Sequence, residues 1–96
     1  MDWKQAREKL SRQHVADAAR WMSHHCHGSE FGNLYQKTGC APPRHRYASF
    51  EGQRFPAKAF GYLCLQQAGW DRREEYRPTV NEVMNAIRRF GAKDVR

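Results

Sequence analysis

The residues best suited to chemistry lie in the run GQRFPAKAFG, residues 52–61, where an extended segment gives way to a helix. Pro56 indicates the helix start, because the N–H that proline lacks has no partner in a first helical turn. Such a start offers backbone N–H groups and the positive end of the helix dipole, which together favour a phosphate group. Arg54 and Lys58 flank it with positive charge. The run therefore predicts phosphate binding beside an apolar surface.

Catalytic chemistry has little support in the sequence. Glu51 is the only acidic residue between positions 31 and 70, so a paired-carboxylate metal site is not expected. Cys26 lies between His25 and His27, but adjacency in sequence does not by itself bring a nucleophile and a base into hydrogen-bonding geometry. We therefore expect a protein that is not an enzyme and that uses no cofactor.

The cysteines and histidines raise the question of a metal site. Cys26, Cys40 and Cys64 are odd in number, and a disulfide framework is not expected. Residues 24–27 with Cys40 and His45 offer possible zinc ligands, but their spacing fits none of the paired gaps of structural zinc sites. The alternative is a solvated helix end with a histidine cluster, and no metal site is predicted. Cys64 falls on an apolar helical stripe and is expected in the core.

Length and charge limit the class of protein. A chain of 96 residues is predicted to form one small domain over residues 1–96. The net charge is +7, and residues 32–58 hold five positive charges and one negative charge. This local excess favours nucleic acid over membrane as the partner. No apolar run approaches the roughly 18 residues of a membrane span, and the polar N-terminus lacks a signal-peptide core, so a cytoplasmic location is expected.

The elements that must position the run 52–61 are predicted to be mostly helical. The strand pattern at 47–50 and 53–55, separated by the turn pair Glu51-Gly52, predicts a hairpin that delivers the chain to Pro56. The apolar phase slips after Leu10, which favours a helix break at Ser11. The predicted fold class is α+β, mostly helical, with several helices around a short β-hairpin that leads into the DNA-facing helix. The other segments are a short helix or extension at 1–10 and helices from Ser11, from Ser29, over 56–68 and from Thr79.

Two of these helices have detailed expectations. The helix over 56–68 is predicted to bury one stripe and to stop at Gly69. Thr79 and Glu82 form a capping box for the last helix. The predicted buried positions are Phe60, Leu63, Cys64 and Gln67 in the first helix and Val83, Ala86, Ile87 and Phe90 in the last.

The order Arg46-Tyr47 followed by FEGQRFPAKA, residues 50–59, resembles the signature of the sulfur-binding domain of phosphorothioate-dependent type IV restriction enzymes. In that family a hairpin ends in Tyr-Pro-Pro-Lys-Ala or a relative of it and runs into a helix. The likeness extends weakly over residues 10–96, but only residues 46–59 are specific. It implies a stand-alone module that binds phosphorothioate-modified double-stranded DNA and either marks or protects that DNA or recruits a separate effector protein.

The resemblance also implies a set of site residues. The sulfur pocket would consist of the Pro56 ring, the Cβ of Ala59, the Cβ side of Phe55 and the stem of one arginine, either Arg44 or Arg46. Sulfur is more weakly hydrated than oxygen, whose burial against carbon costs a few kcal/mol, so such a pocket accepts sulfur and disfavours oxygen. Phe55 departs from the family's tyrosine. The implied backbone contacts are Arg44, His45, Arg46, Arg54, Lys58, Arg72, Arg73 and Arg77.

Two other functions and a simpler interpretation of the run stay open. The chain is alternatively a general basic DNA-binding regulator or architectural protein without sulfur preference, or a protein-interaction module whose basic face meets an acidic protein. In the simpler interpretation Pro56 only starts a helix, as many first-turn prolines do, and Phe55 and Phe60 bury part of their rings in the core. Phosphorothioate selectivity and the salt dependence of binding distinguish the three functions.

Overall fold

A computed structural model describes residues 1–25, 38, 46–71 and 76–95. The three strands in these ranges form one antiparallel sheet in the order β2-β1-β3. The predicted fold class, a mostly helical α+β domain, is confirmed, whereas the helix predicted from Ser29 falls outside the described residues. The elements are α1 Trp3–Lys9, α2 Arg12–His25, β1 Tyr47–Phe50, β2 Gln53–Pro56, α3 Ala57–Gln67, α4 Val80–Arg88 and β3 Lys93–Val95.

The predicted break between the first two helices is confirmed. Asp2 caps α1 in a capping box with Gln5, and Leu10 after α1 has extended dihedral angles. Ser11 then starts α2, since its hydroxyl oxygen accepts a hydrogen bond from the backbone N–H of His14 at 3.3 Å. Residues 1–10 therefore form a short helix that packs into the core through Trp3.

Helix α3 is the centre of the domain. Eight of its eleven residues are buried, on every side of the helix. The prediction of a single stripe was wrong: Gln67 is exposed, while Tyr62 and Leu65, which the stripe omitted, are fully buried. Cys64 is in the core as predicted, and burial raises the pKa of its thiol far above the ordinary value. A helix that is apolar all round requires neighbours all round, which α1, α2, α4 and the sheet supply.

Both ends of α3 are well defined. Pro56 is the N-cap rather than the first helical residue, so the helix begins at Ala57, one position after the predicted start. At the other end Gly69 has a φ of 110°, and the N–H of Trp70 donates to the carbonyl of Leu65 at 2.9 Å. The N–H of Gly69 donates to the carbonyl of Gln66 at 3.0 Å, which completes a Schellman motif at the predicted stop.

Helix α4 closes the other side of α3. The Thr79 hydroxyl accepts from the N–H of Glu82, and the Glu82 carboxylate accepts from the N–H of Thr79, as the capping-box pattern predicts. Burial of Val83 and Ile87 confirms the predicted inner face. Within the described ranges, no helix combines the length and apolar character that crossing a bilayer requires.

The sheet contains the predicted hairpin and one strand that was not predicted. Glu51 and Gly52 have φ values of 49° and 79°, the positive angles that a two-residue turn needs to match the twist of the strands. Strand β3 pairs with the other edge of β1, so that Ser49 lies between Arg54 and Lys93. Ala48 and Phe50 point to the helices, which leaves the opposite face of the sheet toward solvent.

The contact between α3 and α4 depends on Gly61. A Cβ at this position would lie 2.5 Å from the Cβ of Val83, so Gly61→Ala is expected to lower the free energy of unfolding by about 1–3 kcal/mol through overpacking. Urea denaturation measures the change. Combining it with Val83→Gly removes the Cβ that the new methyl group would meet, so the double variant should lose less stability than the two single losses together. Additive losses would contradict a direct clash.

Candidate nucleic-acid interface

The start of α3 is the most distinctive helix terminus in the described structure. No side chain caps it and no acidic residue lies in its first turn, whereas α1 and α4 both begin with complete capping boxes. The N–H of Ala57 donates to the carbonyl of Arg46 at 3.2 Å. The first N–H groups of a helix have no partner within the helix. At the start of α3, therefore, no capping side chain or first-turn carboxylate competes with a ligand for these N–H groups.

Two predicted phosphate contacts meet beside this terminus. Lys58 is the only exposed residue in the first two turns of α3, and its ammonium lies 5.6 Å from the ring centroid of Tyr62. The guanidinium of Arg77 lies 5.1 Å from the same centroid and donates to the carbonyl of Thr38 at 2.8 Å. Tyr62 itself is buried, with its hydroxyl bonded to the carbonyl of Pro78 at 2.7 Å. One buried ring thus holds two cations near each other.

The three predicted pocket residues differ in accessibility. Pro56 is half-buried, whereas Phe55 is 5% exposed and Ala59 is 1% exposed. The Phe55 ring stacks on Phe60 with centroids 4.7 Å apart, so the phenylalanine that replaces the family's tyrosine is held in the core. The apolar surface that this structure presents to a ligand is chiefly the Pro56 ring. The pocket as a whole stays a prediction.

Arg54 lies on the exposed side of the hairpin. Its guanidinium stacks over the Tyr47 ring at 4.4 Å from the centroid, and it forms no ion pair among the described residues. A cation held on an aromatic face keeps its charge available to a second, anionic partner. The exposed position of Arg54 is therefore compatible with the predicted contact to the DNA backbone.

Arg46 has a different environment. Its guanidinium donates to Asp94 at 2.9 Å and to the side-chain oxygen of Asn81 on α4. Arg88 bonds the other carboxylate oxygen of Asp94, and hydrogen bonds from Arg88 and then Arg46 lower the pKa of Asp94. The charge of Arg46 is thus offset in part, by a carboxylate that it shares with Arg88. Arg44, the other predicted pocket arginine, lies outside the described residues, as do His45, Arg72 and Arg73.

The strand β3 adds residues that the sequence did not indicate. Its pairing with β1 places Lys93 and Val95 on the solvent face of the sheet, beside Ser49 and Tyr47 respectively. A three-residue strand with a single apolar position has too weak a pattern to be recognised, so Lys93 was missed as a candidate. Lys93 is exposed and forms no ion pair among the described residues.

The proposed alternative of a zinc site is not addressed by this geometry. Among the described residues no three His, Cys, Asp or Glu side chains are grouped closely enough to hold a metal ion. Most of the histidine and cysteine cluster, including Cys26, His27, Cys40 and His45, lies outside the described ranges.

Comparison with known proteins gives no independent assignment: no family model, no curated protein and no solved structure matches this chain. The likeness of residues 46–59 to the sulfur-binding domain therefore remains a prediction.

Removal of the Asp94 carboxylate is expected to destabilise the protein in a pH-dependent way. Asp94→Asn should lower the free energy of unfolding at pH 7 by about 1 kcal/mol or less, because the ion pairs are partly exposed and screened by solvent. The native pKa is depressed, so this stabilisation is complete above the pKa of the unfolded chain, about 3.9, and is lost as the pH falls through the native value.

Urea denaturation of wild type and variant at neutral and acidic pH measures this difference. Asp17→Asn is the control, since it removes the pair with Arg20 on the surface of α2, where the arginine is 67% exposed. The control should change stability little at any pH. A loss in Asp94→Asn that persists undiminished at acidic pH would contradict an electrostatic origin.

Proposed function

We propose that this protein binds the sugar-phosphate backbone of double-stranded DNA at the start of α3 and distinguishes phosphorothioate from phosphate there. The observation that supports this proposal is the uncapped, carboxylate-free N-terminus of α3, with the exposed Lys58 and the half-buried Pro56 ring beside it. Hydrogen-bond donors, a cation and an apolar surface meet at one point. A modified phosphate needs the same three features.

The polar part of the site suits the charge of the phosphate. A phosphate oxygen accepts hydrogen bonds from first-turn N–H groups and is attracted by the helix dipole. Lys58 and Arg77 add point charges at the same place, and Arg54 adds a third on the hairpin. A chain with a net charge of +7 is also drawn to polyanions from a distance.

The apolar part of the site supplies the preference for sulfur. The ring of Pro56 offers carbon rather than a hydrogen-bond donor to the second non-bridging atom of the phosphate. An oxygen pressed against it loses hydration without compensation, whereas sulfur loses less. The preference thus arises from a penalty on the unmodified group. The family resemblance of residues 46–59 supports the same assignment.

In this proposal the domain is a reader rather than an enzyme. Recognition of the modified backbone recruits a separate effector protein, which performs any cleavage. The reader acts where chromosomal DNA is accessible, in the cytoplasm.

Competition binding tests the sulfur preference directly. A short duplex with a single stereodefined phosphorothioate should bind more tightly than the same unmodified duplex by about 2 kcal/mol or more, which is about 30-fold, because only oxygen pays the dehydration cost. Both stereoisomers are measured by fluorescence anisotropy at fixed salt, and one should be preferred since only one non-bridging atom faces Pro56.

The alternatives give different results in the same assay. Equal binding of modified and unmodified duplexes, with a steep dependence on salt, would indicate a general DNA-binding protein. Absence of salt-dependent DNA binding would favour the protein-interaction module.

Substitution of Pro56 tests where the preference resides. Pro56→Asp should abolish it and weaken binding of both duplexes, because an N-cap carboxylate accepts from the first-turn N–H groups and repels the phosphate. Pro56→Ala is the matched control: it removes the ring without adding charge, so selectivity should fall while binding of the unmodified duplex is retained. Full selectivity in both variants would place the sulfur contact elsewhere.

A further inference from the structure

The solvent face of the sheet has an ordered arrangement of side chains. Residues directly opposite each other in antiparallel strands share a face, and alternate residues of one strand do so too. The register pairs Ser49 with Arg54 on one side and with Lys93 on the other. Two residues along β1, Tyr47 pairs with Pro56 and with Val95. We call these six residues the outer face: Tyr47, Ser49, Arg54, Pro56, Lys93 and Val95.

The outer face consists of two rows with different chemistry. One row contains Pro56, Tyr47 and Val95, and the guanidinium of Arg54 lies over its Tyr47 ring. The other contains Arg54, Ser49 and Lys93, so that two basic residues flank a serine in the register of the strands. Adjacent strands lie about 4.8 Å apart, so the backbone positions of Arg54 and Lys93 are about 10 Å apart.

The charges of the outer face are not compensated within the described structure. Neither Arg54 nor Lys93 forms an ion pair there, and none of the six residues is acidic. In contrast, the neighbouring Arg46 and Arg88 share the single carboxylate of Asp94, which lies on the opposite face of the sheet because it pairs with Ala48. The one acidic residue of the three strands thus lies on the face opposite to Arg54 and Lys93.

The outer face is continuous with the start of α3. Pro56 belongs to both, because it is the last residue of β2 and the N-cap of α3. We infer that the outer face is a second phosphate-binding surface, on which Lys93 and Ser49 contact the backbone of the strand whose modified phosphate lies at α3. This inference rests on the proposed function and extends it across the sheet.

The two rows of the outer face would contact different phosphates of the DNA strand. The modified phosphate meets the Pro56 end of the row that contains Tyr47, and unmodified phosphates of the same strand lie along the row that contains Lys93. The backbone positions of Arg54 and Lys93 are about 10 Å apart, so their long side chains can reach different phosphates of one DNA strand, which rises about 3.4 Å per nucleotide. Lys93 and Ser49 therefore add affinity without reading sulfur.

The test removes the charge of Lys93 while keeping its length. Lys93→Gln should weaken binding of both the phosphorothioate duplex and the unmodified duplex by about threefold to tenfold at low salt, and should reduce the slope of log affinity against log salt by about one. The ratio of the affinities for the two duplexes should stay unchanged. Lys58→Gln serves as the reference for a lost phosphate contact at α3. Lys9→Gln is the matched control, since Lys9 is exposed on α1, which packs on α3 rather than on the sheet.

A series of duplexes with one uncharged methylphosphonate linkage locates the contact. At one position the neutral linkage should weaken binding of wild type but cause no further loss in Lys93→Gln, a coupling that a merely structural role of Lys93 would not produce. Equal binding by Lys93→Gln and wild type, with Lys58→Gln still weakened, would overturn the outer face and leave the α3 site standing. A loss in Lys9→Gln as large as in Lys93→Gln would also overturn it. A wild-type protein that binds no DNA would overturn both proposals.

Discussion

A helix that is apolar on every side is stable only if every side is covered, and this constraint on α3 organises the domain. Helices α1, α2 and α4 and the sheet surround it, and Gly61 lets α4 approach within contact of the backbone. A ligand therefore cannot approach the sides of α3, and only the two ends of the helix are accessible. At the first end Lys58 is exposed and no side chain caps the N–H groups, so the packing of the core leaves this end open for the proposed phosphate site.

The sheet separates two electrostatic environments. On its inner side Asp94 binds both Arg46 and Arg88, so these basic residues are held within the fold and one carboxylate offsets part of their charge. On its outer side Arg54 and Lys93 have no such partner among the described residues. Net charge alone does not reveal this division, because it counts Arg46 and Arg54 equally. Strand alternation decides which of the two can meet a ligand.

Local signals in the sequence were enough for much of the fold. The capping box at Thr79, the turn pair Glu51-Gly52 and the break at Ser11 all depend on residues within a few positions of one another, and all are confirmed. The predictions that failed depend on distant contacts. The stripe on α3 and the missed β3 both follow from what packs or pairs across the domain. The same reason explains why Lys93 was overlooked and why the compensation of Arg46 by Asp94 was not foreseen.

The pairing of β3 with β1 also bears on the order in which the domain assembles. The hairpin of β1 and β2 closes a two-residue turn, whereas β3 must return across the length of α3 and α4 to reach the same strand. Contacts between residues distant in sequence require a larger loss of chain entropy before they stabilise anything. We therefore expect the hairpin and its junction with α3 to form early and the row containing Lys93 to be completed late.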